Sequence, residues 1–259
     1  MRKSVFVLIL ISLVSSVFAQ KKKKNEKTDP PKQEAAVVQP EPKKEEPVKK
    51  DSVPKINPLL RHYAIKYQVA LQWNDYDVAK DALYDLIIES PSNNDSLIYE
   101  LAYFYYQNQK FASAVLVSQE LLKRNPKNPA ALEMTAVGSE NLGALDKALQ
   151  SYESLYLLGN NPLTLYKMAF LQLQLKRYKE SGTSADILLA DKAAETLKVS
   201  YTGADNKTKE FPIKAALLNL KGMLAQEQGD KVTAKKFYEL ALGQAADFPM
   251  AKENLAKLK

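Results

Sequence analysis

The sequence predicts an all-α chain built as a stack of about five helix–turn–helix repeats, closed by a C-terminal cap helix and carrying one short β-hairpin-like insertion. Three observations predict it. A turn, a large apolar residue and a small residue return together at a near-constant interval. Apolar residues between the turns recur at steps of three and four, and helix-opening and helix-stopping residues bracket each segment.

The first element precedes the repeats. Met1–Gln20 has a basic start (Arg2, Lys3), an apolar run from Val5 to Phe18 broken only by serines, and Val17-Phe18-Ala19 before Gln20. The run is shorter than the roughly 20 residues that span a bilayer, and its small-residue ending fits a secretory signal at 1–19 cut between Ala19 and Gln20. Export to the periplasm or beyond is the expectation. The alternative is an uncleaved anchor holding the chain to the inner membrane and facing the periplasm.

Residues 20–58 form the second element, a disordered Lys/Glu/Pro-rich linker. Seven of the chain's 13 prolines fall here, with almost nothing apolar to bury, so the composition cannot offset the entropy of ordering its backbone. The linker also explains the net charge of +7, which would otherwise point to an anionic partner. It holds 11 Lys against 7 acidic residues and the signal adds two cations, which leaves 24 basic and 23 acidic side chains for 59–259. Nucleic-acid binding is therefore not expected, because the basic run Lys21–Lys24 lies outside the fold and lacks interleaved aromatics. That run either makes weak contact with membrane or cell wall or acts as a solvated spacer.

The repeats occupy 59–259. Asp75-Tyr76-Asp77-Val78-Ala79, Lys110-Phe111-Ala112-Ser113-Ala114, Ala144-Leu145-Asp146-Lys147-Ala148 and Arg177-Tyr178-Lys179-Glu180-Ser181 share the pattern, and Ala79, Ala114, Ala148 and Ser181 lie 35, 34 and 33 residues apart. A fifth copy ends at Ala234, 53 residues on, which is one period plus an insertion. Twelve residues before each marker stands a small residue (Ala102, Ala136, Ala169, Gly222; Tyr67 departs), where paired helices come close. Gly143 and Gly229 supply permissive turns, and Asn128-Pro129 and Asn161-Pro162 open helices with a capping side chain and Pro at the first helical position. The insertion, 195–213, alternates Val199 and Tyr201 with polar residues around a turn-forming centre. It reads as a hairpin or ordered loop projecting from the stack. Asp247–Lys259 reads as the cap helix that an open-ended stack requires.

These period and small-residue positions resemble the tetratricopeptide repeat family over roughly residues 59–246. Leu86, Leu121, Leu155 and Leu188 depart from its preference for Ala. The resemblance implies a right-handed α-solenoid that binds protein or peptide on a concave face lined by the first helix of each pair. Carried over, its contact positions fall on Ala64, Ile65 and Gln68, then on Tyr99, Glu100, Tyr103, Tyr106 and Gln107. They continue through Glu133, Met134, Val137 and Glu140, then Tyr166, Lys167, Phe170 and Gln174, and end on Asn219, Met223 and Gln226. The expected partner-binding groove is thus Tyr99, Tyr103, Tyr106, Met134, Val137, Tyr166 and Phe170. The Lys/Asn clamp that some members use for a carboxylate terminus is absent, since its sites hold Ala64, Gln68, Tyr99 and Tyr103.

No catalysis, metal or cofactor is expected. Zero Cys removes thiolate chemistry, and a single His removes most imidazole relays. Asp75, Asp77, Asp81 and Asp85 lack the Gly and closing Glu of a calcium loop, so Asp75 is expected to cap a helix and the others to face solvent. His62 reads as a packing or surface residue, and Trp73 as a plug between helices. Oligomeric state is left open.

Overall fold

The chain reverses direction at five equivalent points. Asn74, Gln109, Gly143, Lys176 and Gly229 all adopt left-handed backbone, with φ of 56°, 56°, 74°, 60° and 80°. Each stands five residues before its repeat's marker, so the sequence period is a period of chain reversals. At every one the next amide reaches back to a carbonyl of the preceding helix, as in Lys110 N to Tyr105 O (2.9 Å) and Arg177 N to Gln172 O (2.7 Å). This closure satisfies carbonyls that the helix end would leave unpaired. Only two of the five positions are Gly. The other three hold this geometry with a side chain present.

The computed structural model describes residues 57–90, 94–202 and 207–258. The expected signal, its Ala19–Gln20 cut, nearly all of the 20–58 linker and the tip of the insertion lie outside them. Between the turns run α1 (Pro58–Gln72), α2 (Tyr76–Glu89), α3 (Asp95–Gln107), α4 (Phe111–Arg124), α5 (Pro129–Asn141), α6 (Leu145–Gly159), α7 (Pro162–Gln174), α8 (Tyr178–Ala190), α9 (Ile213–Glu227) and α10 (Lys231–Gln244), followed by α11 (Pro249–Lys257). Pro58, assigned to the linker on sequence, instead opens α1, where its missing N–H costs nothing. Asp75, Asn128, Asn161 and Asp230 each accept a backbone N–H at the start of a helix.

Consecutive helices pack as pairs, and α3 also meets α5 as α7 meets α9. The odd-numbered helices therefore form one layer and the even-numbered helices the other. This is the helix-pair solenoid expected from the repeat. The small positions Ala102, Ala136 and Ala169 are fully buried, and a Cβ on Gly222 would collide with the Tyr238 ring, so each permits close approach of its pair. Ser181 Oγ, in place of the usual Ala, donates to the Ala169 carbonyl at 2.7 Å.

The insertion forms a 3-10 turn (Lys192–Glu195) and then β1 (Lys198–Thr202) paired antiparallel with β2 (Thr208–Pro212), Val199 opposite Phe211 and Tyr201 opposite Lys209. The sequence placed this hairpin as a projection. Its base is instead part of the core. Val199 and Phe211 are buried, Phe211 and Tyr201 lie 5.1 and 6.4 Å from the fully buried Phe248 ring, and Ile213 N donates to Leu197 O. Phe248 is the residue before α11, so hairpin and cap share one aromatic cluster. Trp73, expected to plug helices together, is 77% exposed. It follows the last residue of α1 at the turn, where no helix among the described residues covers it.

Candidate functional site

On α3, the spacing of Tyr99, Tyr103 and Tyr106 places three rings on one helical face. Tyr99 and Tyr103 stack nearly parallel (11°) with centroids 6.0 Å apart, and Tyr103 is 40% exposed. Phe104 and Tyr105 point the other way. Phe104 meets Tyr76 of α2 at 6.2 Å, and the Tyr105 and Tyr84 hydroxyls share a 2.8 Å hydrogen bond.

The neighbouring helix of the same layer, α5, adds Glu133 and Glu140. Burial raises both Tyr99 and Tyr106 above the usual phenol range, followed for Tyr99 by the neighbouring Tyr103, Glu100 and Glu133 and for Tyr106 by Glu133, Tyr103 and Glu140. The Glu133 carboxyl is itself raised by partial burial. Its side chain nonetheless remains open to solvent. Glu140 is differently placed. It accepts from the Tyr152 hydroxyl at 2.9 Å and pairs with Lys167 of α7 at 3.2 Å, both charges being mostly covered.

The resulting surface is a partly open aromatic face on α3, with Glu133 and Glu140 on the neighbouring helix α5. Among the seven residues expected to line it, Tyr99, Tyr106, Val137 and Phe170 are half-buried and Tyr103 is exposed. Met134 and Tyr166 are not part of the open surface. At 4% and 7% exposure they pack inward, and Tyr166 sits 4.9 Å from Phe170 as a support for that ring. The helical period explains the difference: Met134 is one residue past Glu133 and turns about 100° away from it.

Among the further carried-over positions, Glu100 accepts from Tyr67 at 2.7 Å, which ties α1 to α3 and shows why the large Tyr67 replaces a small residue. Asn219 is fully buried and accepts from Asn254 of α11. Tyr152 was absent from the expected set because it lies on a second-layer helix. The pairs Glu140–Tyr152, Gln172–Ser184 and Gln226–Tyr238 are each hydrogen-bonded across twelve residues, and that recurring polar offset was the available signal. Asp75 caps α2, Asp77 pairs with Lys80, and Asp85 pairs with Lys66, so these aspartates serve the helix pair. His62 is exposed, with its ring edge-on to Tyr63.

The fold and this layered helix-pair geometry are those of a tetratricopeptide repeat solenoid. Solved structures agree. A tetratricopeptide repeat protein from Parabacteroides merdae is similar over 78% of this chain and 73% of its own, with a TM-score of 0.59 and 18% identity. A MamA protein is similar over 77% and 94%, with a TM-score of 0.55 and 13% identity, and MamA from Desulfovibrio magneticus RS-1 over 74% and 98%, with a TM-score of 0.54 and 11% identity. No family model and no curated protein sequence matches the chain.

Proposed function

We propose that the chain is a non-catalytic scaffold that holds a protein or peptide ligand on the α3–α5 face. One observation carries the proposal: the Tyr99–Tyr103 stack with Tyr106 is left partly open on the layer of odd-numbered helices, beside rings that the fold does bury. Tyrosine gives a large contact area with few rotamers to immobilise, which suits capture of a helix or an extended segment. Replacing Tyr99, Tyr103 and Tyr106 together with Ala is expected to abolish cross-linked capture of the partner in cells while leaving the far-ultraviolet helical signal intact. Capture equal to that of the native chain overturns the groove.

The proposed setting is the cell envelope, with the Lys/Glu/Pro-rich segment as a spacer between the export signal and the solenoid. The apolar run Val5–Phe18 and the Ala19–Gln20 boundary support it. N-terminal sequencing of the exported chain should begin at Gln20. Intact Met1 with recovery in the membrane pellet would instead make the protein a membrane-anchored adaptor that spans the periplasm. Co-sedimentation with purified peptidoglycan would mark a cell-wall accessory factor.

A further inference from the structure

The junctions between successive repeats are not alike. Side chains tie the first repeat to the second through Tyr67–Glu100 (2.7 Å) and Tyr84–Tyr105 (2.8 Å). The third is tied to the fourth through Lys167–Glu140 (3.2 Å) and Arg177–Glu153 (3.6 Å), and the fourth to the fifth through Tyr178–Glu227 (3.2 Å). Among the described residues, no side-chain hydrogen bond or ion pair joins the second repeat (α3, α4) to the third (α5, α6); Arg124 turns back to Asp95, and Tyr152 to Glu140. The buried apolar core divides at the same place. Leu83, Leu86 and Leu101 form one cluster, the larger cluster begins at Ala136, and the two have no residue in common.

Between α4 and α5 the contact is close but smooth. Gly138 of α5 comes so near α4 that a Cβ on it would stand 2.6 Å from the Val115 side chain. At matching positions the repeat puts Leu101 and Phe104 on α3, Met168 and Leu171 on α7 and Leu224 on α9, where α5 has Thr135 and Gly138. The short connection 125–128 makes α4 and α5 antiparallel, so one turn from the Gly138–Val115 contact brings Thr135 opposite Ser118. Both are buried, at 5% and 0% exposure, and neither hydroxyl finds a hydrogen-bond partner within the protein. Large side chains keyed into a neighbouring helix resist its displacement, and this contact lacks them. An unpaired buried hydroxyl also raises the energy of the closed contact, a cost relieved when the contact opens to water.

We propose that the α4–α5 seam is the joint at which this solenoid bends, with α1–α4 and α5–α11 moving as two bodies and the unpaired Ser118 and Thr135 hydroxyls keeping the joint loose. Tyr99, Tyr103 and Tyr106 stand on one side of the seam and Val137 and Phe170 on the other. Bending there therefore sets the width of the face assigned above to a ligand. The joint does not depend on that assignment, and its test needs no ligand.

The chain has no cysteine, so spin labels can be placed in pairs on the full chain by cysteine substitution. Asp81, Gln150 and Lys236 are exposed, and each lies two residues after its repeat's marker, on α2, α6 and α10. Asp81→Cys with Gln150→Cys spans the seam, whereas Gln150→Cys with Lys236→Cys spans as many repeats without it. Double electron–electron resonance is expected to give a distance distribution about twice as wide for the first pair as for the second. Adding Ser118→Ala and Thr135→Val removes both hydroxyls without adding bulk. It should narrow the first distribution toward the second and leave the second unchanged. Thermal melts check that each variant folds. Equal widths in the chain that keeps Ser118 and Thr135 overturn the joint, whether or not the hydroxyl-free variant folds. A wide first distribution that the folded Ser118→Ala, Thr135→Val variant leaves unmoved overturns the role given to the two hydroxyls.

Discussion

The first two repeats and the last three are built on one period but filled differently. Around α1–α4 the buried apolar residues are fewer and smaller, Leu83, Leu86, Leu101 and Leu121 with a set of alanines, and many surrounding rings and aliphatic chains remain partly wet. From α5 to α11, a continuous core runs through Leu149, Leu171, Ile213, Leu217 and Leu220 to Phe248, and the hairpin thickens it with Val199 and Phe211. Exposed Ile65, Trp73, Tyr84, Ile88 and Tyr103 crowd the thinner end. Stacked repeats derive stability from their own cores and from nearest-neighbour interfaces, so a thin end is a locally weaker end. In this chain the candidate site lies across the second and third repeats, at the boundary between the two regimes.

The largest test of that contrast compares two phenylalanines. Phe248→Ala removes a ring that is 1% exposed and in contact with both Phe211 and Tyr201, and should cost about 3–5 kcal/mol. Phe104→Ala removes a half-buried ring at the thin end and should cost roughly half as much. Urea unfolding of both variants checks the ordering. Equal losses would mean that the two ends unfold as one block of uniform strength.

Alkali probes the same difference through the tyrosines. Burial raises Tyr105 and Tyr238 each to about 12, and raises Tyr99, Tyr106 and the deeply buried Tyr166 as well. Because the folded-state pKa is the higher one, this contribution to stability is complete below the unfolded phenol value of about 10. It is lost progressively as pH rises through 10 toward the folded values. Melting temperature should therefore fall steadily above pH 10. Phenolate absorbance should develop from the deeply buried Tyr166 only as helicity is lost. Simultaneous ionisation of all tyrosines with loss of helicity would erase the distinction between open and buried rings.

How much of this was visible in the sequence follows from what the repeat encodes. Ala102, Ala136, Ala169 and Gly222 are dictated by close helix approach, and the capping Asn128 and Asn161 by unsatisfied amides, so both are local signals with a fixed offset. The outward face of α3 was legible for the same reason, because 3.6-residue geometry alone separates Tyr103 from Phe104. Met134 and Tyr166 were misplaced as surface because a position carried over from a family specifies the helix and the turn of the spiral, not the depth of the groove at that repeat. Phe248 against Phe211 could not be read at all, since it joins an insertion to the cap across a stretch with no period. Trp73 was misread because apolar character predicts burial only where another element arrives to cover the residue.

The smallest effect lies in the turns. Both turns of the thin end use a residue with a side chain in left-handed backbone, Asn74 and Gln109, whereas of the three later turns one does (Lys176) and two use Gly143 and Gly229. A left-handed residue with a Cβ is strained by about 1–2 kcal/mol, and Gly removes that strain while giving back part of the gain as extra freedom in the unfolded chain. Gln109 is exposed, so little else changes on substitution. Gln109→Gly should stabilise the protein by up to about 1 kcal/mol, read as a higher urea midpoint at unchanged slope, and Gly229→Ala should lower it by a similar amount. If the thin end limits stability, protection of α3 amides in hydrogen exchange should rise in Gln109→Gly more than protection of α9 amides falls in Gly229→Ala. The thick end has neighbouring packing to absorb its strain, and α1–α4 has little.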